Sequence, residues 1–385
     1  MPVQIAVGIS DSFDAVEAFS DAALDAVRGL DAPCDLCLVF AGTPHLGHAK
    51  WVLSAVHERL EPRNLIGCGA GGVVGPGREI EGGAGAVVWA ASLPGAEITT
   101  HHLTAEPGAE PGDISGLPVP EEMGESMFLL ADPYSFAADA CLARINEDRP
   151  GMPVLGGLAS AAIAGSSALF RDGDVLGAGA VACSLSGVEV LPCVSQGAAP
   201  VGPEMTITAA KGNVIEQLAS KPALERIGEV IAGLPRSERE LVAAALMLGI
   251  VIDESKPNYE RGDFLVRPLI GADKESGAVA IGERVRVGQV VRLHARDGAA
   301  ADEDLREALR EQSDEFGAGG AAGALLFTCN GRGSHMFDVS DHDANAIDDA
   351  LGVPAGGFFC AGEIGPVGGR NFLHGFTATM ALFRR

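Results

Sequence analysis

DLCLVFAG at residues 35–42, NLIGCGAGGVVG at 64–75 and GAGAVVWAASL at 83–93 form the unit on which the fold of this chain turns. The first and third are apolar, strand-like runs. Between the first and second lies a helical stretch carrying Trp51, Leu53, Val56 and Leu60. The same order returns twice. MFLLADP (127–133) leads through the helical stretch Ala137–Asn146 to VLGGLASAAIAG (154–165) and VLGAGAVACSL (175–185). GALLFTCNGRG (323–333), a helix over Asp343–Leu351, VPAGGFFCAGEIG (353–365) and FLHGFTATMALF (372–383) complete a third copy. Recurrence of one β-α-β-β unit marks a repeat architecture. The second and third strands of each unit are expected to fold back as a hairpin-like return. The glycines between them let backbone approach a neighbour at little steric cost. The fold class that follows is α+β: two lobes of repeated β-α-β-β modules, with mixed, largely antiparallel sheets covered by helices.

Outside the modules, a strand at Gln4–Ile9 precedes a helix whose Val16, Phe19, Ala23, Leu24 and Val27 fall on one face. QGAAPVGPE (196–204) breaks the composition and sets a boundary near residue 200, giving domains over 1–200 and 201–385. Beyond it come the strand MTITAA (205–210), a helical stretch at 213–233 punctuated by Pro222, and an acidic helix at 302–313. FLVRPLIGADKESGAVAIG (264–282) reads as two strands around a polar turn.

With 47% hydrophobic and 21% charged residues over 385 positions, the chain can bury a substantial core. Twenty-seven basic against 52 acidic residues, a formal charge of -25, leave no basic stripe for nucleic acid or for an anionic membrane surface. The start MPVQIAVGISDS lacks the basic and apolar regions of a signal peptide. The longest apolar run, 241–252, is short of the roughly 20 residues a bilayer needs. A cytoplasmic protein is expected. The eight cysteines then read as reduced thiols, mostly in apolar runs. The C-x-x-C of Cys34 and Cys37 has no second pair to complete a zinc site, and residues three apart on a strand face opposite sides.

The third copy alone carries a set of polar residues among its glycines: Cys329, Asn330, Arg332, His335, Glu363, Asn371 and His374. Such groups on glycine-bent backbone at strand ends are candidates for ligand binding. Arg332, within Gly-Arg-Gly, can hold a carboxylate bidentately, or serve a structural ion pair, with Glu363 as one partner. Arg332 and Glu363 together would match the carboxylate and ammonium of an amino acid. Cys329 and His335 resemble a nucleophile and base, but a cysteine ending an apolar strand is more often an inert thiol. No catalytic residue is therefore assigned. His374 is a candidate haem ligand or a hydrogen-bonded strand histidine. His45 and His48 lack a third metal ligand, so no metal site is assigned. GxxxxGK[ST], GxSxG and HExxH are missing, and IGCGAGG is followed by a strand rather than a helix.

These features together resemble the FIST family, read as F-box and intracellular signal transduction proteins. IGCGAGG carries the resemblance in the N-terminal half. RPLIGAD (267–273), CNGRGSHMF (329–337) and GFFCAGEIGPVGGRNFLHGFT (357–377) carry it more strongly in the C-terminal half. The resemblance implies a sensory, signal-transducing domain that binds a small molecule, an amino acid among the candidates, or haem as a cofactor. It also implies a separate signalling partner protein, since no kinase, cyclase, receptor or F-box segment accompanies it. The alternatives are a protein-interaction module and an enzyme using Cys329.

Overall fold

The computed structural model describes residues 2–105, 108, 110–161, 167–259 and 262–385; the end of VLGGLASAAIAG, from 162, lies outside the described residues. The first module comprises β1 (Gln4–Ser10), α1 (Ala15–Arg28), β2 (Leu36–Gly42), α2 (Ala49–Leu60), β3 (Leu65–Ala70), a short hairpin β4 (Val73–Gly75) and β5 (Arg78–Ile80), and β6 (Ala86–Ser92). The second comprises β7 (Glu97–Leu103), β8 (Ser126–Ala131), α3 (Ala138–Asp148), β9 (Val154–Leu158), the hairpin β10 (Leu169–Arg171) and β11 (Asp174–Leu176), and β12 (Ala180–Ser186). After β13 (Val190–Gln196) the repeat is interrupted by β14 (Ala198–Lys211), β15 (Val214–Leu218), β16 (Lys221–Pro222), α4 (Ala223–Gly233), α5 (Arg236–Ala244), β17 (Leu246–Val251), β18 (Phe264–Ala272), β19 (Val279–Ile281), β20 (Val290–Arg296) and α6 (Gly298–Phe316). The third module then runs through β21 (Ala321–Cys329), α7 (Ser334–Phe337), α8 (His342–Leu351), β22 (Ala355–Cys360), the hairpin β23 (Glu363–Val367) and β24 (Arg370–His374), and β25 (Thr377–Arg384).

The three module sheets share one strand order: β1-β6-β2-β3-β10-β11, β7-β12-β8-β9-β23-β24 and β13-β25-β21-β22-β4-β5. In each, an edge strand flanks the module's last strand, then come its parallel first and second strands, and then a hairpin donated by another module. This corrects the expected hairpin-like return. The last strand pairs antiparallel with the first, not the second (β6 with β2, β12 with β8, β25 with β21). The glycine-rich connection instead builds a small hairpin that docks on a neighbouring sheet (β10 on β3, β23 on β9, β4 on β22). Without it, the second strand of each module would present an unpaired edge. Among the pairings of the described residues whose register is given, the three first-to-second ones are parallel and the rest antiparallel, so the α+β, largely antiparallel reading holds.

Gly67, Gly156 and Gly357 occupy matching positions on these second strands. A Cβ would stand 2.2, 2.0 and 1.8 Å from the carbonyl oxygens of Val39, Leu129 and Leu326 on the parallel neighbours. Glycine is therefore required by contact with backbone that cannot rotate away. Inside the three sheets lies a core containing Phe40, Trp89, Phe128, Phe327, Phe358 and Phe383. On the outside each sheet carries its own helices: α1 and α2 over the first, α3 over the second, and α8 with the C-terminal part of α6 over the third. The buried face of α1 is Ala15, Ala18, Phe19, Ala22, Ala23 and Ala26, so Val16 is exposed, contrary to the face read from the sequence. Trp51 is also exposed and stacks on His48. Cys34 precedes β2 and, with Cys37, is buried in the same outer core rather than on opposite faces.

The chain divides into two compact units: up to Val194 with Leu305–Leu373 and Thr377–Arg385, and Ser195–Asp304 with His374–Phe376. The composition break falls beside this division. The third module, however, belongs with the first two rather than with residues 201–304. In the second unit, β14 pairs with both β20 and β15, closing β14-β20-β17-β18-β19-β15 into a barrel. The stretch 213–233 is not one helix. Val214–Leu218 is a strand, and α4 begins only after Pro222, whose fixed φ and missing N–H suit a helix start.

Candidate functional site

The second strands of all three modules end at one place in the first unit. The Ser160 hydroxyl accepts from the Gly71 amide at 2.7 Å and donates to the Phe359 carbonyl. Ser160 and Ala161 amides point at the Gly69 carbonyl, and the Asn330 amide donates to the Cys360 carbonyl. Cys329 ends β21 beside this junction. By strand register it corresponds to Gly42 in the first module. The residue after β8 in the second module is Asp132, buried and hydrogen-bonded by Ser135 and Ser167. Cys329 is half-buried, whereas the other seven cysteines are buried.

Arg332 is wholly buried, and its partner is Asp343 rather than Glu363. Nε and Nη2 donate to the two Asp343 oxygens at 2.9 and 2.8 Å, the bidentate geometry that a guanidinium favours. Thr328 donates to the same carboxylate at 2.7 Å, and His342 Nδ1 lies 2.9 Å from it. The guanidinium also sits 5.0 Å from the centre of the Phe337 ring, which stacks on His342. Burial by itself would push the Asp343 carboxyl up. The Arg332 charge and the hydrogen bonds from His342, Arg332 and Thr328 outweigh burial and hold it well below the usual carboxylate range. One arm of the guanidinium, Nη1, donates to no protein atom among the described residues.

Glu363, the first residue of β23, is likewise wholly buried. Its Oε2 accepts from the Thr377 amide at 3.1 Å and hydroxyl at 2.8 Å. Its Oε1 accepts from no protein donor among the described residues. The hydrogen bonds from Thr377, the Cys329 side chain and the Arg332 charge all act to lower its pKa. Burial dominates, however, and pushes Glu363 up to about 8. Glu79, on β5, is pushed up to about 8 by burial and by the nearby Asp343 charge. It accepts from the Ala344 amide at 2.9 Å and so docks the first module's hairpin onto α8.

The two raised groups predict a pH dependence. Both hold a proton more tightly in the folded chain than at the ordinary glutamate value of 4.5. Between that value and about 8 the folded state binds more protons than the unfolded, so their contribution to stability falls as pH rises. Glutamine mimics the protonated acid. Glu79→Gln and Glu363→Gln should therefore gain on the wild type by a few kcal/mol each between pH 5.5 and 8.5, about the range of the shift. Urea unfolding at the two pH values measures this difference, and a pH-independent offset would refute the buried proton.

The other sequence candidates separate. Asn371 is structural: its side chain accepts from the Val154 amide and donates to Asn146 Oδ1 and the Met152 carbonyl, tying β24 to the second module. His374 is buried and belongs to the second unit. His335 is exposed on the single turn α7, and Asn330 is exposed beside Cys329. His45 is buried against Phe19 and bonds the Ala84 carbonyl at 2.9 Å. Among the described residues no group of three or more metal-type ligands converges. The sequence reading missed Asp343, Glu79, Ser160 and Glu81. Glu81 accepts from both the amide and the hydroxyl of Ser334 at 2.8 Å. The available signal was indirect: an arginine in a glycine turn at the end of a buried strand needs a carboxylate.

Comparison with known proteins finds matches across both halves of the chain. Residues 35–221 match the model of the FIST N domain and 223–366 that of the FIST C domain. Both matches are to FIST domains and neither is to an F-box, so the F-box reading of the family name is withdrawn. The chain is 44% identical over 384 residues to an uncharacterised protein of Mycobacterium tuberculosis, covering 99% of this chain and 100% of that one. It is 42% identical over 385 residues to an uncharacterised protein of Mycobacterium bovis, with 99% of each covered. Among the described residues no helix is long and apolar enough to cross a membrane. The motifs around Cys329 and Glu363 thus sit inside a full-length match, and the chain belongs to the FIST family.

Proposed function

We propose that this protein is a cytoplasmic sensor that binds a small molecule at the strand-end junction of the three modules and passes the signal to a separate protein. The ligand contacts Cys329, Asn330 and Glu363. The observation that carries this reading is Glu363: a wholly buried carboxyl with one oxygen lacking a protein donor. Buried polar atoms are nearly always satisfied, so an open one at a junction of glycine loops marks a place for a missing partner. Arg332 enters differently from the amino-acid pairing expected from sequence, because Asp343 already holds its charge. The acidic surface of the chain, with a formal charge of -25, fits a soluble sensor that avoids nucleic acid and anionic membranes.

A thermal-shift screen over amino acids, small neutral metabolites and haem tests the reading, since a ligand that prefers the folded state raises the midpoint by mass action. At least one class should raise the wild-type midpoint, and Asn330→Ala and Cys329→Ser should reduce that rise. A rise that ignores both substitutions places the ligand elsewhere, and a screen without any rise refutes binding. Haem is distinguished by a Soret band that His374→Ala abolishes.

A further inference from the structure

The β4–β5 hairpin leaves the first module on two glycine pairs and is fastened at its far end by a carboxyl. Gly71 and Gly72 precede it, and Gly82 and Gly83 follow it at φ +79° and +74°, a backbone that glycine adopts freely. A Cβ on Gly83 would meet nothing within 4 Å, so this tether is not packed in place. Between the tethers the hairpin pairs with β22, Val73 opposite Phe358 and Val74 opposite Gly357. Its other hold is on the start of α8. Glu79 donates its amide to Asp341 Oδ1 at 2.6 Å and accepts the Ala344 amide on Oε1 at 2.9 Å. It thereby caps from another module a helix whose own N-cap residue, Asp341, makes no side-chain cap. Glu81 accepts two further hydrogen bonds from Ser334. We infer that this hairpin is a proton-operated latch, which Glu79 keeps shut on α8 as the neutral acid and frees as the carboxylate.

The groups around Glu79 decide which form can stay. Its side chain is buried, and Oε2 has no hydrogen-bond partner among the described residues. On α8, Asp343 directly precedes the Ala344 amide and is held ionised by Arg332 at 2.8 Å. His342 turns Nδ1 to the same Asp343 carboxylate, and Asp341 faces the Glu79 amide. On the hairpin itself, Glu81 adds negative charge and Arg78 is engaged by Asp11. Among the described residues no lysine or arginine forms an ion pair with Glu79. A carboxylate in this place would lack both water and a counter-charge, and would stand against a second anion. Burial and the Asp343 charge accordingly push its carboxyl up to about 8.

With the hairpin away from α8, Glu79 is hydrated and titrates at the ordinary glutamate value of 4.5. The open form then binds fewer protons than the closed one between that value and about 8. Opening becomes easier as pH rises through this window and levels off above it. The loss is local, because only the hairpin and the first turn of α8 share the titrating contact. An open hairpin uncovers the edge of β22 at Gly357 and Phe358, two residues before Cys360 at the strand-end junction. The latch needs no ligand and stands apart from the binding reading.

Amide hydrogen exchange of the native full chain, corrected for the intrinsic pH dependence of exchange, tests this. Protection at Glu79 and Ala344, the two amides the latch itself bonds, should fall about tenfold per pH unit from 5.5 to 7.5, one proton leaving per opening. The β10–β11 hairpin is the internal control. It docks on β3 in the same way, but its acids Asp172 and Asp174 are not buried, so its protection should stay level. Glu79→Gln should flatten the response at both latch amides and leave the control unchanged. The comparison of the two wild-type hairpins stands without the variant, so a misfolded substitution leaves the test intact. Equal loss of protection in both hairpins would mean that the whole chain opens, and overturns the latch. Level protection at Glu79 and Ala344 overturns it too, as does a fall that survives Glu79→Gln.

Discussion

Arg332→Ala should destabilise the folded chain by about 3–5 kcal/mol, because it strands a wholly buried carboxylate. Asp343 would keep its hydrogen bond from Thr328 and its contact with His342, but would lose both guanidinium donors and the opposite charge. Asp343→Ala should be as damaging, since the guanidinium is then the uncompensated ion. The two losses should not add. Arg332→Met combined with Asp343→Leu removes both charges together, and replacing a whole buried pair by apolar residues is often close to neutral. The double variant should therefore be more stable than either single one. Urea unfolding of the four proteins gives the coupling directly. Near-additive losses would mean that the pair is hydrated and weak. The same pair bears on the candidate site, because the Arg332 charge acts on Glu363 and Cys329 as well as on Asp343.

Gly357→Ala should be strongly destabilising, since it meets the closest backbone obstacle of the three matching glycines. The added Cβ would stand 1.8 Å from the Leu326 carbonyl oxygen and 2.7 Å from its carbon, all of it backbone within the parallel pair of β21 and β22. Relief requires those strands to separate, and β22 leads directly to Cys360 and the site junction. Overpacking of a core usually costs about 1–3 kcal/mol, and more where backbone rather than a side chain must yield. Gly67→Ala and Gly156→Ala meet the same obstacle at 2.2 and 2.0 Å. Gly47→Ala, with nothing within 4 Å of its Cβ, is the matched control and should leave the midpoint unchanged. Thermal unfolding of the four variants checks the ranking. A Gly357→Ala protein as stable as the control would show that the strands have room to part.

Much of the architecture was legible because it repeats. DLCLVFAG, MFLLADP and ALLFTC carry the same strand signal, and each leads through a helix to a glycine-rich second strand. What misled was the connection after that strand. A glycine run followed by an apolar run reads as a simple return, yet β4–β5, β10–β11 and β23–β24 each leave their own module for another sheet. Nothing local distinguishes a strand that closes its own sheet from one that completes a neighbour. At the site, Cys329, Asn330, Arg332 and Glu363 stood out because polar residues at glycine-bent strand ends are conspicuous. Asn371 stood out for the same reason and is a structural clamp, since hydrogen-bond partners in α3 and β9 carry no mark in the sequence.

The repeat, its strand and helix order and the polar residues peculiar to the third copy are properties of the chain read in order, because periodicity and glycine act on neighbouring residues. Tertiary structure alone decided which sheet each hairpin joins and that the third copy packs with the first two. It also paired Arg332 with Asp343, leaving one oxygen of the buried Glu363 without a protein donor among the described residues. Partner choice depends on distance in space between residues far apart in the chain, and charge state depends on burial, which no spacing of letters specifies.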